Sequence, residues 1–289
     1  MLHIAVMVEE CLRFLDVRPA GVYADCTAGL GNHTLAIARL LDTGRVIAID
    51  RDAETLELAR RNTAECAEKI TFVHGRFSEL PEVLVRLGIA ALDGLLADLG
   101  ASRYQLTTPE RGFSFMADGP LDLRMDRSEG VTAATLVNTM TESKLADLIY
   151  EYGQERSARR VAKSIVQRRP IRTTGQLTAA IESVLRRTGR LHPATKTYLA
   201  LRLKVNEELE ELDALLEAAP GLVRPGGRIV VLSFMSHEDG RVKRRFRELA
   251  REGRASVLTK HVITPGEGEV RRNPAARSAR LRSLEIRRV

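Results

Sequence analysis

The chain has 289 residues, 44% hydrophobic and 29% charged, with no tryptophan. That length is about twice a common domain, and the balance excludes disordered and fibrous classes. No run approaches the roughly 18 apolar residues of a membrane span. The N-terminal MLHIAVMVEECLRFL carries acids and no small-residue cleavage site, so it does not read as a signal peptide. Three cysteines (Cys11, Cys26, Cys66) with no CxxC pair argue against a disulfide framework or structural zinc, and for a reducing cytoplasm.

Charge is uneven. The net value is +7, yet residues 241–289 alone hold 15 Lys/Arg against 5 Asp/Glu, and Arg156–Arg172 holds seven cations with no acid after Glu155. Most are arginine, whose planar fork suits phosphate. Each cluster alone reads as a solvated helix face; together they make nucleic acid a reasonable partner.

The first hundred residues alternate strand and helix. VYADC (22–26), RVIAID (45–50), ITFVH (70–74) and LDGLLADLG (92–100) read as strands, separated by helical patterns at GNHTLAIARLL, AETLELARRNTAEC and SELPEVLVRLG. This spacing predicts a doubly wound α/β sheet with parallel pairing and ligands at the carboxyl ends of the strands. Residues 101–130 are turn-rich. Residues 131–192 read as helices only: Leu145, Leu148, Ile149 and Tyr152 with Gly153 as C-cap; Ala158, Val161, Ala162 and Ile165 stopped by Pro170; Leu177, Ile181, Val184 and Leu185 capped by Thr174 and ended by Gly189. A long helix after Pro193 keeps Val205, Leu209, Leu212 and Leu216 in register. RIVVLSF (228–234) restores the sheet, and SVLTKHVI with ARLRSLEI reads as a closing hairpin. The expected domains are 1–107 plus 193–289, and an inserted helical domain at 108–192.

Three strand ends carry carboxylates. Asp25 opens the run Asp25-Cys26-Thr27-Ala28-Gly29-Leu30-Gly31-Asn32-His33, in which two glycines let backbone pass close to a ligand before a helix begins. Alone, GxG after a strand is as often a plain tight turn. Thr34 stands where a dinucleotide fingerprint wants a third glycine, which counts against an NAD-dependent oxidoreductase. Asp50, 19 residues past Gly31, is placed to accept ribose hydroxyls or to cap the next helix; Asp52 competes for the cap. Asp98 ends the fourth strand. Convergence of these ends favours a nucleoside-cofactor site over three coincidental turns. His74 reads as structural. His192 and His237 lack metal-ligand spacing, so no metal is expected; Ser233 and Ser236 lack a nucleophile elbow.

These residues carry a resemblance. His3 with Glu9-Glu10, the Gly loop, Asp50-Arg51-Asp52, DLGAS (98–102) with Gln105, RGFSF (111–115), DGPLDLRMD (118–126), YGQER (152–156), HPATKTYLALRLKVNEEL (192–209), LVRPGGRIVVLSF (222–234) and NPAARSARLR (273–282) resemble the bacterial 16S rRNA cytosine-N4-methyltransferase family, RsmH or MraW, nearly end to end. The resemblance implies a Rossmann-like S-adenosylmethionine domain interrupted by a helical domain that helps recognise RNA. It carries cofactor contacts onto Gly31, Asn32, His33, Asp50, Phe77, Asp98 and Gln105. Phe77 stacks on adenine in that reading, or packs in the core under the next helix. The chain departs from the family at Asn32, at Arg103, at Ala5, and across Ser233–Gly240, where SFHSLEDR reads SFMSHEDG.

The resemblance implies methylation of a cytidine N4 in the decoding region of 16S rRNA, with S-adenosylmethionine as cofactor, the small ribosomal subunit as partner, a cytoplasmic location, no membrane, and a homodimer left open. The amine must be held in line with the methyl and lose a proton, for which Asp98 is the catalytic candidate. Phe113 or Phe115 is a candidate for stacking on an unstacked base. The rival readings are a non-catalytic RNA-binding assembly factor that keeps the pocket and, on the same sheet topology, the oxidoreductase.

Overall fold

The computed structural model describes residues 5–187, 189 and 191–287; His3 lies outside them. The chain forms two compact units, one of Met1–Gly100 with Glu210–Val289 and one of Ala101–Leu209. Among the described residues no helix is long and apolar enough to cross a membrane.

Among the described residues the first unit holds seven strands: β1 (Val22–Asp25), β2 (Arg45–Asp50), β3 (Ile70–His74), β4 (Leu92–Asp98), β5 (Val223–Ser233), β6 (Ala255–Val257) and β7 (Arg280–Ile286). Their order is β3-β2-β1-β4-β5-β7-β6. The first five pair in parallel, and β7 runs antiparallel to both β5 and β6. Strand side chains alternate between faces. Val46 and Ala48 therefore pack on one side with α1 (Val8–Leu15), α2 (Asn32–Ala38) and α3 (Ala53–Asn62). Ile47 and Ile49 pack on the other with α4 (Leu80–Arg86) and the helices after the insertion. Both faces are covered, which is why these strands read as near-continuous apolar runs. The expected hairpin is an antiparallel pair, but β6 keeps only three residues and the connection to β7 is long.

The second unit holds α5 (Arg103–Thr107) together with α6 (Ala133–Thr139), α7 (Glu142–Gly153), α8 (Ala158–Gln167), α9 (Thr174–Glu182) and α10 (Thr195–Val205), the last five sharing one apolar core. The helices expected at 131–192 are present, with three shifts. Thr173, not Thr174, caps α9, its hydroxyl accepting from Gln176 N at 3.3 Å. α9 ends at Glu182, well before Gly189. Gln154, not Gly153, is the left-handed residue after α7, while a Cβ on Gly153 would collide with the Lys196 carbonyl. α5 also replaces part of the expected loop.

The long helix after Pro193 is two helices, α10 and α11 (Glu208–Leu222). The buried Asn206 side chain accepts from Met125 N at 2.7 Å and donates to Leu123 O at 2.8 Å, and Glu207 takes φ +52°. Tyr198, Leu201 and Val205 of α10 belong to the second unit's core, whereas Leu212, Leu215 and Leu216 of α11 belong to the sheet. The division accordingly falls at 209/210, where periodicity alone places it at 192/193. After β5 come α12 (Ser236–Arg251) and α13 (Glu267–Arg272).

Candidate cofactor-binding and catalytic site

The loop after β1 is bonded to all three acidic strand ends. Thr27 N donates to Asp25 Oδ1 at 3.2 Å, Asp98 N donates to Thr27 Oγ1 at 2.6 Å, and Gly29 N donates to Asp50 Oδ2 at 2.6 Å. One short loop thus ties β1, β2 and β4 together at their carboxyl ends.

The three carboxylates do different things there. Asp25 is fully buried, and its Oδ2 accepts from Thr34 Oγ1 at 2.6 Å. Burial pushes its pKa up, opposed by His33 and the Thr34 hydroxyl. Asp25 is an internal tie between the loop and α2. Asp50 uses its second oxygen on Asp52 N at 2.9 Å. Asp52 caps α3, accepting from Glu54 N and Thr55 N at 3.0 and 3.3 Å, and so takes the role that competed for Asp50. Each Asp50 oxygen keeps a second acceptor site, and burial raises its pKa to about 6.

Asp98 Oδ2 lies 3.5 Å from His33 Nε2. That is an ion-pair distance, longer than a good hydrogen bond. Asp98 Oδ1 is buried and has no hydrogen-bond partner among the described residues. Burial works against charge on His33, but Asp98, with Asp25 and Glu269 beyond it, outweighs that penalty and raises the pKa. A buried carboxylate oxygen without a donor points to a ligand, because such atoms are rarely left unmet.

The remaining predicted residues sit on separate elements. Gly29 takes φ +51°, and a Cβ there would meet Thr27 O at an ordinary 3.8 Å, whereas a Cβ on Gly31 (φ +85°) would meet Thr63 Cγ2 at 2.7 Å. Gly29 therefore leaves room beside the loop, and Gly31 lets α2 approach the end of α3. Asn32 is the half-buried first residue of α2. Phe77 opens a short 3₁₀ turn, half-buried against the sheet core. Gln105 lies in the other unit, buried, where its side-chain oxygen accepts from Ser102 N at 2.9 Å and its N–H donates to Ser102 Oγ at 3.2 Å. It completes the cap of α5.

Three groups escaped the sequence reading. Thr27 and Thr34 hold the acids, and Glu269 accepts from Met7 N at 2.7 Å, clasping α13 to the start of α1. A separation of 262 residues leaves no local signal for the last pair. The divergent SFMSHEDG segment is structural at two places: Glu238 Oε2 accepts from Phe234 N and Met235 N at 3.1 and 3.3 Å, and Asp239 accepts from Arg282 at 2.6 and 3.1 Å. The aromatic candidates for base stacking are both engaged: Phe113 is buried, and Phe115 stacks on His192 with centroids 4.5 Å apart and meets Tyr198 edge-on at 5.3 Å.

A doubly wound sheet with one antiparallel strand next to the last, and acids at the ends of β2 and β4, defines a Rossmann-like α/β fold. Residues 1–287 match the MraW methylase family, and the chain belongs to it. It is 56% identical over 286 residues to the ribosomal RNA small subunit methyltransferase H of Solibacter usitatus, covering 99% of this chain and 100% of that one. It is 47% identical over 290 residues to the protein of that name from Acidobacterium capsulatum, covering 98% of each, and 46% over 282 residues to that of Gloeobacter violaceus, covering 97% and 87%.

Proposed function

We propose that the chain transfers a methyl group from S-adenosylmethionine to the exocyclic N4 of a cytidine in 16S rRNA of the small ribosomal subunit, in the cytoplasm. The observation that carries this reading is the pair His33–Asp98, with Asp98 Oδ1 buried and awaiting a donor beside a loop that binds Asp50.

The residues suit the cofactor. Asp50 has acceptor capacity for ribose hydroxyls, Phe77 offers a flat apolar surface for adenine, and Gly29 leaves space where a side chain would intrude. Gly31, Asn32 and His33 line the loop in this reading. S-adenosylmethionine supplies an electrophilic sulfonium methyl.

The chain must then supply position and a proton acceptor. The cytosine amine is a weak nucleophile because its lone pair is delocalised into the ring. Asp98 Oδ1 accepts one amine hydrogen, which orients the nitrogen and keeps electron density on it, and it takes the proton as the new C–N bond forms. His33 lies 3.5 Å from the other carboxylate oxygen and helps fix its orientation. Alignment of this kind is worth up to ~7–11 kcal/mol.

The helical unit grips RNA in this reading. Arg156, Arg159, Arg160, Lys163, Arg168 and Arg172 are exposed, whereas Arg169 is turned inward, donating to the Val137 and Met140 carbonyls at 2.6 Å each. The test is transfer of labelled methyl from S-adenosylmethionine to small-subunit particles, followed by nucleoside mass analysis. N4-methylcytidine supports the proposal. Binding to particles without transfer returns the reading to an assembly factor.

A further inference from the structure

Away from the acidic strand ends, the far edge of the sheet carries a small basic cavity. It is lined by Lys243, Phe246 and Arg247 of α12, Val257 of β6, Thr259 and Lys260 just after it, and Arg282 of β7. Phe246 and Val257 form an apolar wall, and Thr259 is buried, its hydroxyl accepting from Ser283 N at 3.0 Å. Arg282 is fixed by Asp239. Lys243, Arg247 and Lys260 make no hydrogen bond or ion pair with any described residue. Their neighbours on α12 behave differently: Arg241 pairs with Asp213 at 3.2 Å and Arg245 with Glu217 at 2.7 Å.

Three uncompensated cations around one concavity repel each other, and low-dielectric walls focus their field outward. Such an arrangement is stabilised by an anion of tetrahedral oxygens, which guanidinium and ammonium groups meet together. Resting on the proposed RNA substrate, we infer that this cavity binds a backbone phosphate of that RNA, separate from the methyl-transfer centre. The register supports a shared surface. Arg282 pairs with Val231, one residue short of Leu232, the partner of Asp98. β6 stands three strands from β4, roughly 14 Å at the usual strand spacing. A strand of RNA entering the carboxyl end of the sheet can therefore reach both places.

The test compares the full-length protein with its Lys243→Ala/Arg247→Ala variant in binding a small-subunit rRNA fragment, by fluorescence anisotropy across a potassium chloride series. The slope of log affinity against log salt should shrink by about 1, with affinity at moderate salt falling about tenfold for any RNA sequence. Calorimetric affinity for S-adenosylmethionine should not change, and Lys243→Arg should restore RNA binding. The single exposed Lys260→Ala variant serves if the double variant does not fold, with a smaller change in the same direction. An unchanged slope in a folded variant overturns the site. So does equal loss of binding to a polyglutamate peptide with none to RNA, which would make the surface an acidic-protein contact. Inorganic phosphate that competes only with the unmodified protein supports it. Absence of RNA binding by the unmodified protein overturns the substrate reading instead.

Discussion

Asp98 at the end of β4 donates its backbone N–H to the hydroxyl of Thr27, 71 residues earlier, at 2.6 Å. The bond fixes the height of the candidate catalytic carboxylate against the loop that follows β1. Thr27→Val keeps the shape and removes the acceptor. We expect a stability loss of about 1–2 kcal/mol and a kcat roughly tenfold lower, with the KM for RNA nearly unchanged; denaturant unfolding and single-turnover methyl transfer measure the two effects.

Asp98→Asn preserves volume but cannot take a proton from the amine. General-base loss is worth ~10²–10⁴ in rate, so kcat should fall at least a hundredfold while the variant still binds S-adenosylmethionine. Radiolabel transfer and calorimetry separate the two; a variant with near-normal turnover would remove Asp98 from proton transfer.

Asp50 has its pKa raised by burial to about 6. Its ionised form is the better acceptor for ribose hydroxyls, so cofactor affinity should rise as pH goes from 5 to 7 and level off above. Asp50→Asn should flatten that dependence and weaken binding by about tenfold or more, since hydrogen bonds to a charged group are worth roughly 1.5–3 kcal/mol. Folding stability moves the opposite way: an acid with a raised folded pKa stabilises most below its unfolded value and loses that contribution as pH climbs through about 6.

His33 has its folded pKa raised above the ordinary histidine value by Asp98, against the cost of burial. Its contribution is fully present below about 6.5 and fades as pH rises through the folded pKa. The stability gap between the native chain and His33→Gln should therefore be widest near pH 6 and narrow toward pH 9. Thermal melts across that range provide the check, and a gap independent of pH would refute the charge on His33.

Arg282 and Asp239 form a bidentate, nearly buried pair. Arg280 also lies 3.7 Å from Asp239, so losing Arg282 removes the bidentate bonds but leaves one longer ion pair, at a cost below the roughly 3–5 kcal/mol of a fully stranded charge. Arg282→Ala should lower the melting temperature markedly, and the double variant Arg282→Met/Asp239→Leu should recover most of the loss.

The α/β sheet was legible in the sequence because its strands are short apolar runs ending in acids, and its helices repeat at 3.6 residues with caps such as Asp52. The amphipathic faces at Leu145–Tyr152 and Ala158–Ile165 were legible for the same reason. The sequence also carried Asp50 and Asp98 as marked positions, because a charged residue closing an apolar strand stands out locally. What each one touches was not readable from it.

Periodicity is a local property, so it joined Val205 to Leu209 and Leu212 as one helix. Only the packed chain turned Asn206 sideways onto Met125 and Leu123 and sent the two helices to different cores. The folded loop and α2 decided that Asp25 is an internal tie, bonded to Thr34, while Asp98 keeps an open oxygen. Tertiary packing also decided that Arg282 is held by Asp239 while Lys243, Arg247 and Lys260 face a shared cavity. Residue type and spacing set which groups are available; folding sets which of them have been satisfied, and the unsatisfied ones are left for a ligand.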